Sequence, residues 1–588
     1  MSEKLSIEKF AGSKVDSLVE TRGGEKYLEE LVLTTEQFGE EYVALFVEGM
    51  NLGESESEDL IQIIVNREFS TVKDLDSRNQ AFEIAREAEE VKRILLTDEI
   101  SKNHEAFSKI ELALLLGGLD LARLTDKIYS DEWLPLVVDS SVGQALAKLE
   151  EEEPGTAADK LPGKPEEIRW FTRDFVDESL GLTEGNIKLV PYRESLETVP
   201  ELIVALEDMA NAIEEEKNTG ENDFGYVEFL RAWVDCFKGE GNQKELEDQM
   251  MIAWRKIDPD TPVFMVPWAE NDYFDPAGIT MMPSFRIGVK SSSEQAQRLE
   301  VAGAELKETI IDFVESGVPG ADVIKESDTY YRIWTGKAGF DLFFPIASQV
   351  LPNDETIRAT MGATILPDVI QIEKAEGTRD KLARRGWPKE IEEALRPLKM
   401  SAEEAATSEV EAHELGHPVG VIMEGRIGLG KLSNLFEEPK ATEVGMVAQV
   451  KKKADLEFSL KLIATLLHAA PRFLALDESQ PHQGYANGGR IALNIAEKTG
   501  ILSVENDGSM QLDISNSDKI EHFWREMEQF VNWCYSAYGL AADPDSYPGG
   551  LEKIREEVNA GLDIWRGVEQ GEDVALIKII KENLEKNK

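Results

Sequence analysis

The pattern that most constrains this chain is His413-Glu414-Leu-Gly-His417, a His-Glu-x-x-His motif. In an α-helix, residues four apart lie on one face about one turn apart, so both imidazoles can reach a single cation. Glu414 then lies beside the ion, where it can take a proton from an ion-bound water, as in a zinc hydrolase. The pattern therefore predicts a helix that carries a metal site. The alternative is a charged helix on which two histidines share a face by chance.

A catalytic zinc ion needs a third protein ligand and leaves one position for water. Glu437 and Glu438 lie 20 and 21 residues after His417, a separation that allows a second helix to return a carboxylate to the first. Acid pairs are common in a chain this acidic. The spacing therefore leaves open which of the two glutamates binds the ion.

Length and charge limit the class of protein. A chain of 588 residues is too long for one hydrophobic core, so two to four domains are expected. Hydrophobic residues make up 42% and charged residues 30%, which is typical of a globular protein. The net charge of −51, from 63 basic and 114 acidic residues, repels phosphate backbones and anionic lipids. We therefore expect neither nucleic acid nor a membrane as a partner.

The cysteines and the N-terminal sequence favour a cytoplasmic location. Cys236 and Cys534 are the only cysteines and have no metal-binding spacing, so neither a disulfide framework nor a cysteine-zinc site is expected. The first residues lack the apolar core of a signal peptide, and no apolar run approaches the ~18 residues of a membrane span.

Hydrophobic patterns divide the chain into four regions and predict an α+β protein that is predominantly helical. Residues 1–150 show helical spacing, including a leucine-rich helix at 112–124 that we expect to be interrupted at Gly117 and Gly118. Residues 166–372 combine helices with predicted strands at 187–192, 262–266, 279–289, 340–350 and 365–372. Residues 373–540 are mainly helical and carry the metal motif, and residues 541–588 form a charged helical tail.

Taken together, the histidine motif and the later Glu437-Glu438-x-x-Ala441 segment resemble the dipeptidyl peptidase III family of gluzincin-type metallopeptidases. The histidine motif is one residue shorter than that family's usual form, and Thr442 stands where an acid is usual. Because Pro439 disfavours helical geometry in the residue before it, we expect Glu438 in the first turn or at the cap of its helix.

The resemblance implies a fold, a cofactor and an activity. Two lobes would enclose a cleft, with zinc on a helical lobe and a mixed or antiparallel β-barrel in the other. One Zn²⁺ would be held by His413, His417 and Glu438, with Glu437 or Glu443 holding a histidine ring by its remaining N–H. Glu414 would be the general base that activates water, and the enzyme would release dipeptides from the N-terminus of short peptides.

The resemblance also assigns substrate-binding residues. Tyr273, in a segment similar to the family's Glu-x-Tyr-x-Asp-Pro element, would contact the reacting carbonyl, and Asn271 stands where the family has a glutamate that binds the substrate's amino terminus. Asn353 would hold the peptide backbone. His482 and Arg490 resemble a His and an Arg of the family, with the His stabilising the charged intermediate.

Three other functions compete with this prediction. The chain could be a different gluzincin aminopeptidase or endopeptidase, or a zinc- and peptide-binding protein without turnover. The run from Gly425 to Leu432 is also one residue away from a phosphate-binding loop. Since Leu432 replaces the hydroxyl that would bind magnesium and no apolar strand precedes the run, we expect a turn-rich connection there rather than a nucleotide site.

Overall fold

The computed structural model describes residues 104–152, 156–164, 168–267, 270–271, 274–290, 294–314, 318–343, 348–352, 355–367, 369–476, 483–569 and 572–587, with single residues between 86 and 101. Within them the protein is α+β and predominantly helical, as predicted. The chain forms two compact units, residues 1–294 with 330–346 and residues 295–329 with 347–588. The limits of these units differ from those of the four predicted sequence regions, which stay a prediction.

Unit 1 combines helices with short antiparallel sheets. Its helices are α1 (Lys109–Lys127), α2 (Ser141–Glu152), α3 (Tyr192–Ser195), α4 (Val199–Lys217), α5 (Tyr226–Lys238), α6 (Gln243–Arg255) and α9 (Phe340–Phe343). Its strands are β1 (Phe171–Phe175), β2 (Ile187–Pro191), β3 (Val263–Val266), β4 (Glu270–Asn271), β5 (Met281–Met282), β6 (Ser284–Lys290) and β8 (Arg332–Gly339). A π-helical segment, Ile128–Val138, continues α1.

Helix α1 is buried as predicted, but it is not interrupted at its glycines. It is continuous through Gly117 and Gly118. A Cβ on Gly117 would lie 2.5 Å from Cε of Met209, and one on Gly118 would lie 2.2 Å from Cδ1 of Ile287. The glycines therefore allow close packing of α1 against α4 and β6, and this packing outweighs their low helix propensity.

The largest sheet of unit 1 has the order β3-β6-β8 and is antiparallel throughout. The strands predicted at 187–192, 262–266 and 279–289 are confirmed by β2, β3 and β5 with β6. The strand predicted at 340–350 is wrong over its first residues, because Gly339 has φ +59° and the chain turns there into α9. Within the described residues the sheets have two or three strands, and none closes into the barrel that the resemblance implied.

Unit 2 is mainly helical. Its helices are α7 (Glu294–Val314), α8 (Ala321–Lys325), α10 (Glu355–Met361), α11 (Val369–Gly386), α12 (Lys389–Leu395), α13 (Ala402–Ala405), α14 (Ala412–Gly416), α15 (Met423–Leu429), α16 (Lys431–Lys453), α17 (Leu456–Leu474), α18 (Gln483–Lys498), α19 (Ser517–Ala542), α20 (Gly550–Trp565) and α21 (Ala575–Lys586). Its strands are β7 (Asp328–Thr329), β9 (Val350–Leu351), β10 (Thr364–Ile365), β11 (Leu502–Val504), β12 (Met510–Leu512), β13 (Val568–Glu569) and β14 (Glu572–Asp573).

Two hydrophobic cores support unit 2. The larger core takes residues from α11 to α21, and the smaller core includes Ala412 and Leu415 of α14 packed with Val444 of α16 and Ile310 of α7. The strand predicted at 365–372 is wrong beyond Ile365, because α11 begins at 369. Of the helices in the described ranges, none has the length and apolar character needed to span a bilayer.

Candidate metal centre

His413 and His417 lie on one helical segment, as predicted. A π-helical turn, Ala406–Glu411, leads into α14, and His417 continues the helical backbone with φ −55° and ψ −50°. The centroids of the two rings lie 4.7 Å apart at an interplanar angle of 80°. Their Nε2 atoms are 3.2 Å apart. The two imidazoles therefore converge on one point.

Two glycines allow α14 and α16 to pack backbone against backbone. A Cβ on Gly416 would lie 2.1 Å from the carbonyl oxygen of Ala441, and a Cβ on Gly445 would lie 2.5 Å from that of Ala412. Both separations are too short for any real side chain. This close approach brings the acidic residues of α16 to the histidines of α14.

Glu438 lies inside α16, and the expectation that it begins or caps a helix is wrong. The helix begins at Lys431 and continues through Pro439. Proline has no N–H to give to the carbonyl four residues earlier, which here belongs to Leu435. The side-chain amide of Asn487 donates to that carbonyl at 2.9 Å. Asn487 thus replaces the missing hydrogen bond, and the helix stays continuous past Glu438.

His413, His417 and Glu438 form a set that could hold a metal ion. One potential ligand atom from each residue lies within 4.8 Å of the others, and no second such group occurs within the described part of the chain. Oε2 of Glu438 is 3.2 Å from Nε2 of His413. This oxygen is buried and has no hydrogen-bond partner among the described residues. Two imidazoles and a carboxylate with an unused buried oxygen fit zinc, whose catalytic sites use these donors.

The outer nitrogen of each ring has a partner that fixes its tautomer. The hydroxyl of Thr442 donates to the carbonyl of Glu438 at 3.2 Å, so it accepts from Nδ1–H of His413 at 2.9 Å. The carboxylate of Glu437 accepts from Nδ1–H of His417 at 3.1 Å. While the rings are neutral, both Nε2 atoms therefore keep a lone pair that faces the centre of the set.

The acids and bases of the set perturb one another. Burial raises the pKa of Glu438, but the adjacent imidazoles of His413 and His417 outweigh it and lower this pKa to about 2. Burial also raises the pKa of Glu437, yet the charge of Lys440 and the bond to His417 hold it well below its usual range. Burial lowers the pKa of His413, while Glu438 raises it to a net value above normal. Both glutamates are therefore anionic near neutral pH.

Glu443 was one of two residues predicted to accept a hydrogen bond from a histidine ring. At His413 this acceptor is the hydroxyl of Thr442. Glu443 makes no hydrogen bond to either imidazole in the described residues, and burial raises its pKa to about 8. Sequence reasoning missed Thr442 because the similar family has an acid at this position. The hydroxyl performs the same task, since an acceptor is all that the ring N–H requires.

Two further residues adjoin the metal set. Glu414, the predicted general base, is buried on α14. The ring of Tyr485, in the first turn of α18, stacks on His413 with centroids 6.4 Å apart and is 38% exposed. Tyr485 was not predicted from the sequence. The one sequence feature that pointed to it was its position three residues after His482, a predicted site residue.

Two of the remaining predicted substrate residues, Asn271 and Arg490, lie within the described part of the chain. Tyr273, Asn353 and His482 lie outside the described residues. Asn271 lies on β4, where its backbone pairs with Met281. Arg490 is buried on α18, and its guanidinium binds Asp573 at 2.6 Å. Their assignments stay predictions.

The glycines of the phosphate-loop-like run serve helix packing. The run lies in α15 and the start of α16, so the predicted turn-rich connection is wrong apart from Gly430, which has φ +56°. A Cβ on Gly425 would lie 2.0 Å from the carbonyl oxygen of Tyr538, and one on Gly428 would lie 2.9 Å from that of Ala541. These glycines pack α15 against α19.

No protein-family model matches this sequence, and no curated protein matches it either. Two solved structures share its fold. The structure of dipeptidyl peptidase III from Caldithrix abyssi has a TM-score of 0.55 and 14% identity, with 82% of this chain and 94% of that one covered. Dipeptidyl-peptidase III from Corallococcus sp. strain EGB has a TM-score of 0.50 and 16% identity, with 83% of this chain and 96% of that one covered. The chain therefore has a dipeptidyl peptidase III-like fold.

Proposed function

We propose, from the fold that this chain shares with two dipeptidyl peptidase III structures, that it is a zinc-dependent exopeptidase that releases dipeptides from the N-terminus of short peptides. The observation that carries the proposal is the convergence of His413, His417 and Glu438, with an unused oxygen of Glu438 turned toward the imidazoles. Structural side chains of this kind normally satisfy one another.

The residues of the set divide the chemistry between them. Zinc, when bound by the two Nε2 atoms and Oε2, supplies a Lewis acid and makes water ionisable near neutral pH. Glu414 accepts the proton of the attacking water on its carboxylate and passes it to the nitrogen of the leaving amine. Thr442 and Glu437 hold the rings in the tautomer that presents Nε2.

Substrate contacts come from residues assigned by resemblance. Tyr273 and His482 donate hydrogen bonds to the oxyanion that forms at the scissile carbonyl, and each such donor contributes about 3 kcal/mol in other enzymes. Asn353 binds the peptide backbone, Asn271 binds its amino terminus, and Arg490 is the third substrate-binding residue. The net charge of −51 favours peptides over nucleic acid or membranes. Both cysteines are buried free thiols, which suits activity in the cytoplasm.

The test combines metal content with hydrolysis of dipeptidyl arylamides before and after chelation. We expect about one zinc per chain, loss of activity on chelation and recovery when zinc is added. The Glu414→Gln variant is the matched control, since it should keep its zinc and lose about 10²- to 10⁴-fold in kcat.

Other outcomes of this assay would contradict the proposal. A preference for single-residue arylamides would identify a different aminopeptidase. Bound zinc and measurable peptide binding, with no turnover above that of Glu414→Gln, would identify a zinc- and peptide-binding protein.

A further inference from the structure

Lys440 is a fully buried lysine directly behind the metal set. It lies on α16, two residues after Glu438, and its side chain is 0% exposed. An ammonium group in this position needs several oxygen partners to offset its lost hydration. Its Nζ has four, three backbone carbonyls and one carboxylate oxygen.

Two of the three carbonyls, those of Gly416 and His417, lie at the end of the histidine helix, and that of Val419 lies in the turn after it. Nζ donates to the carbonyl of His417 at 2.7 Å and to those of Gly416 and Val419 at 3.2 Å. The last carbonyls of a helix have no partner within the helix and carry its negative dipole end. Lys440 therefore caps the helix that carries both histidines.

The fourth partner connects Lys440 to a ring. Oε1 of Glu437 lies 3.0 Å from Nζ of Lys440 and 3.1 Å from Nδ1 of His417. A hydrogen bond from Tyr538 holds the other oxygen of this carboxylate. Lys440 thus contacts the backbone of His417 and also the carboxylate that orients its imidazole.

We propose that Lys440 is a positioning residue that sets the zinc affinity of the site by fixing both the backbone and the ring of His417. The inference rests on the proposed zinc site and adds a residue that touches neither ion nor substrate. According to this inference, zinc affinity as well as fold stability depends on Lys440.

Charge and positioning predict opposite effects for removal of Lys440. A positive charge close to a divalent cation repels it, so a purely electrostatic role predicts tighter zinc binding when the charge is removed. A positioning role predicts weaker binding, because the histidine helix and Glu437 both lose an anchor. The direction of the change separates the two roles.

The experiment measures zinc affinity of the full-length apo protein by competition with a chromophoric chelator, and the visible spectrum of the cobalt-substituted protein. We expect Lys440→Met to weaken zinc binding about 10- to 100-fold and to alter the cobalt bands, with Lys440→Arg restoring most of the affinity. Lys519→Met is the matched control. Lys519 also bonds a carbonyl at a helix end, that of Gly500, and a carboxylate, that of Asp513, both at 2.7 Å, and its loss should leave zinc affinity unchanged.

Two results would overturn the inference. If Lys440→Met binds zinc at least as tightly as the wild type and shows the wild-type cobalt spectrum, the positioning role is refuted. The proposed zinc site itself would still stand. Should Lys440→Met fail to fold, Lys440→Gln, which keeps an amide donor for the carbonyls, takes its place with the same criterion. A wild-type protein that binds no zinc refutes the proposed function and this inference together.

Discussion

Two carboxylates, the buried Asp275 in unit 1 and the partly exposed Glu438 in unit 2, have opposite surroundings. Asp275 forms an ion pair with the buried guanidinium of Arg173. It also accepts hydrogen bonds from the backbone N–H and the hydroxyl of Thr280 at 2.6 and 2.9 Å and from the N–H of Ile279 at 2.9 Å. The protein itself satisfies Asp275, whereas Glu438 keeps a buried oxygen without a hydrogen-bond partner among the described residues.

The two cationic partners differ as much as the two acids. Arg173 is charged at every relevant pH, so its pair with Asp275 is permanent. His413 is charged only while it holds a proton, and a metal ion can replace that proton. Burial of an acid alone therefore does not identify a metal site. A metal site is indicated when a carboxylate oxygen without a hydrogen bond lies beside imidazoles whose protons a metal ion can replace.

The largest expected effect is on stability, at Asp275. In Asp275→Asn an amide N–H₂ would face backbone donors, and Arg173 would stay buried without its counter-charge. Loss of one partner of a buried pair costs about 3–5 kcal/mol. Urea titration with hydrogen exchange of unit 1 measures this loss, and zinc affinity should not change. If Asp275→Asn lost zinc affinity but kept its stability, Asp275 rather than Glu438 would have the metal-binding role.

The next effect is on zinc affinity, at Glu438. Because Glu438→Gln removes a ligand charge, we expect a loss greater than the about 10- to 100-fold that outer partners cost. Glu437→Gln keeps the ligand set and should stay within that smaller range. Isothermal titration of both apo variants with zinc measures the difference. The reverse order would make Glu437 the ligand.

The sequence predicted the part of the site that depends on local spacing. His413, Glu414 and His417 needed only a helix, and the Glu437–Glu438 pair was found although spacing could not choose between its members. Thr442 and Tyr485 could not be predicted, since their roles depend on which residues of α16 and α18 come to lie beside His413. The position of Glu438 within its helix was misjudged, because the compensation for Pro439 comes from Asn487, a residue distant in sequence.

The same reasoning applies to the fold. Helices and the strands β2, β3 and β6 follow from local periodicity. Predictions failed where packing decided the outcome, at Gly117 and Gly118, which pack a continuous helix, and at Gly339, which turns the chain after β8. These glycines have neighbours distant in sequence, which periodicity cannot reveal.

A third prediction uses the replaceable proton. Because Glu438 raises the pKa of His413 against the effect of burial, protonated His413 stabilises the apo protein fully below about pH 6.5, the unfolded value. This contribution is lost as pH rises through the higher folded pKa, with a slope of at most about 1.4 kcal/mol per pH unit. Urea unfolding of apo protein between pH 6 and 8.5, in wild type and Glu438→Gln, measures it. The ion pair of Asp275 and Arg173 should not make the unfolding free energy depend on pH in this range. If Glu438→Gln showed the same slope of unfolding free energy against pH as the wild type, the assignment of this slope to His413 and Glu438 would be refuted.

The smallest expected effect concerns the carbonyl of Leu435, which Pro439 leaves unpaired and Asn487 satisfies at 2.9 Å. Asn487→Ala should cost about 1 kcal/mol in unfolding free energy. In a Pro439→Ala background the new N–H can reach Leu435, so the same substitution should cost less, and a double-mutant cycle measures this coupling. Asn494→Ala is the matched control, because Asn494 also lies on α18 and donates to carbonyls, those of 564 and 565 at 3.0 and 2.9 Å, but has no link to Pro439. Equal costs of Asn487→Ala in both backgrounds would show that the helix continues past Pro439 without this hydrogen bond. The carbonyl of Leu435 would then no longer be an example of a polar atom that the protein satisfies, in contrast to the oxygen of Glu438.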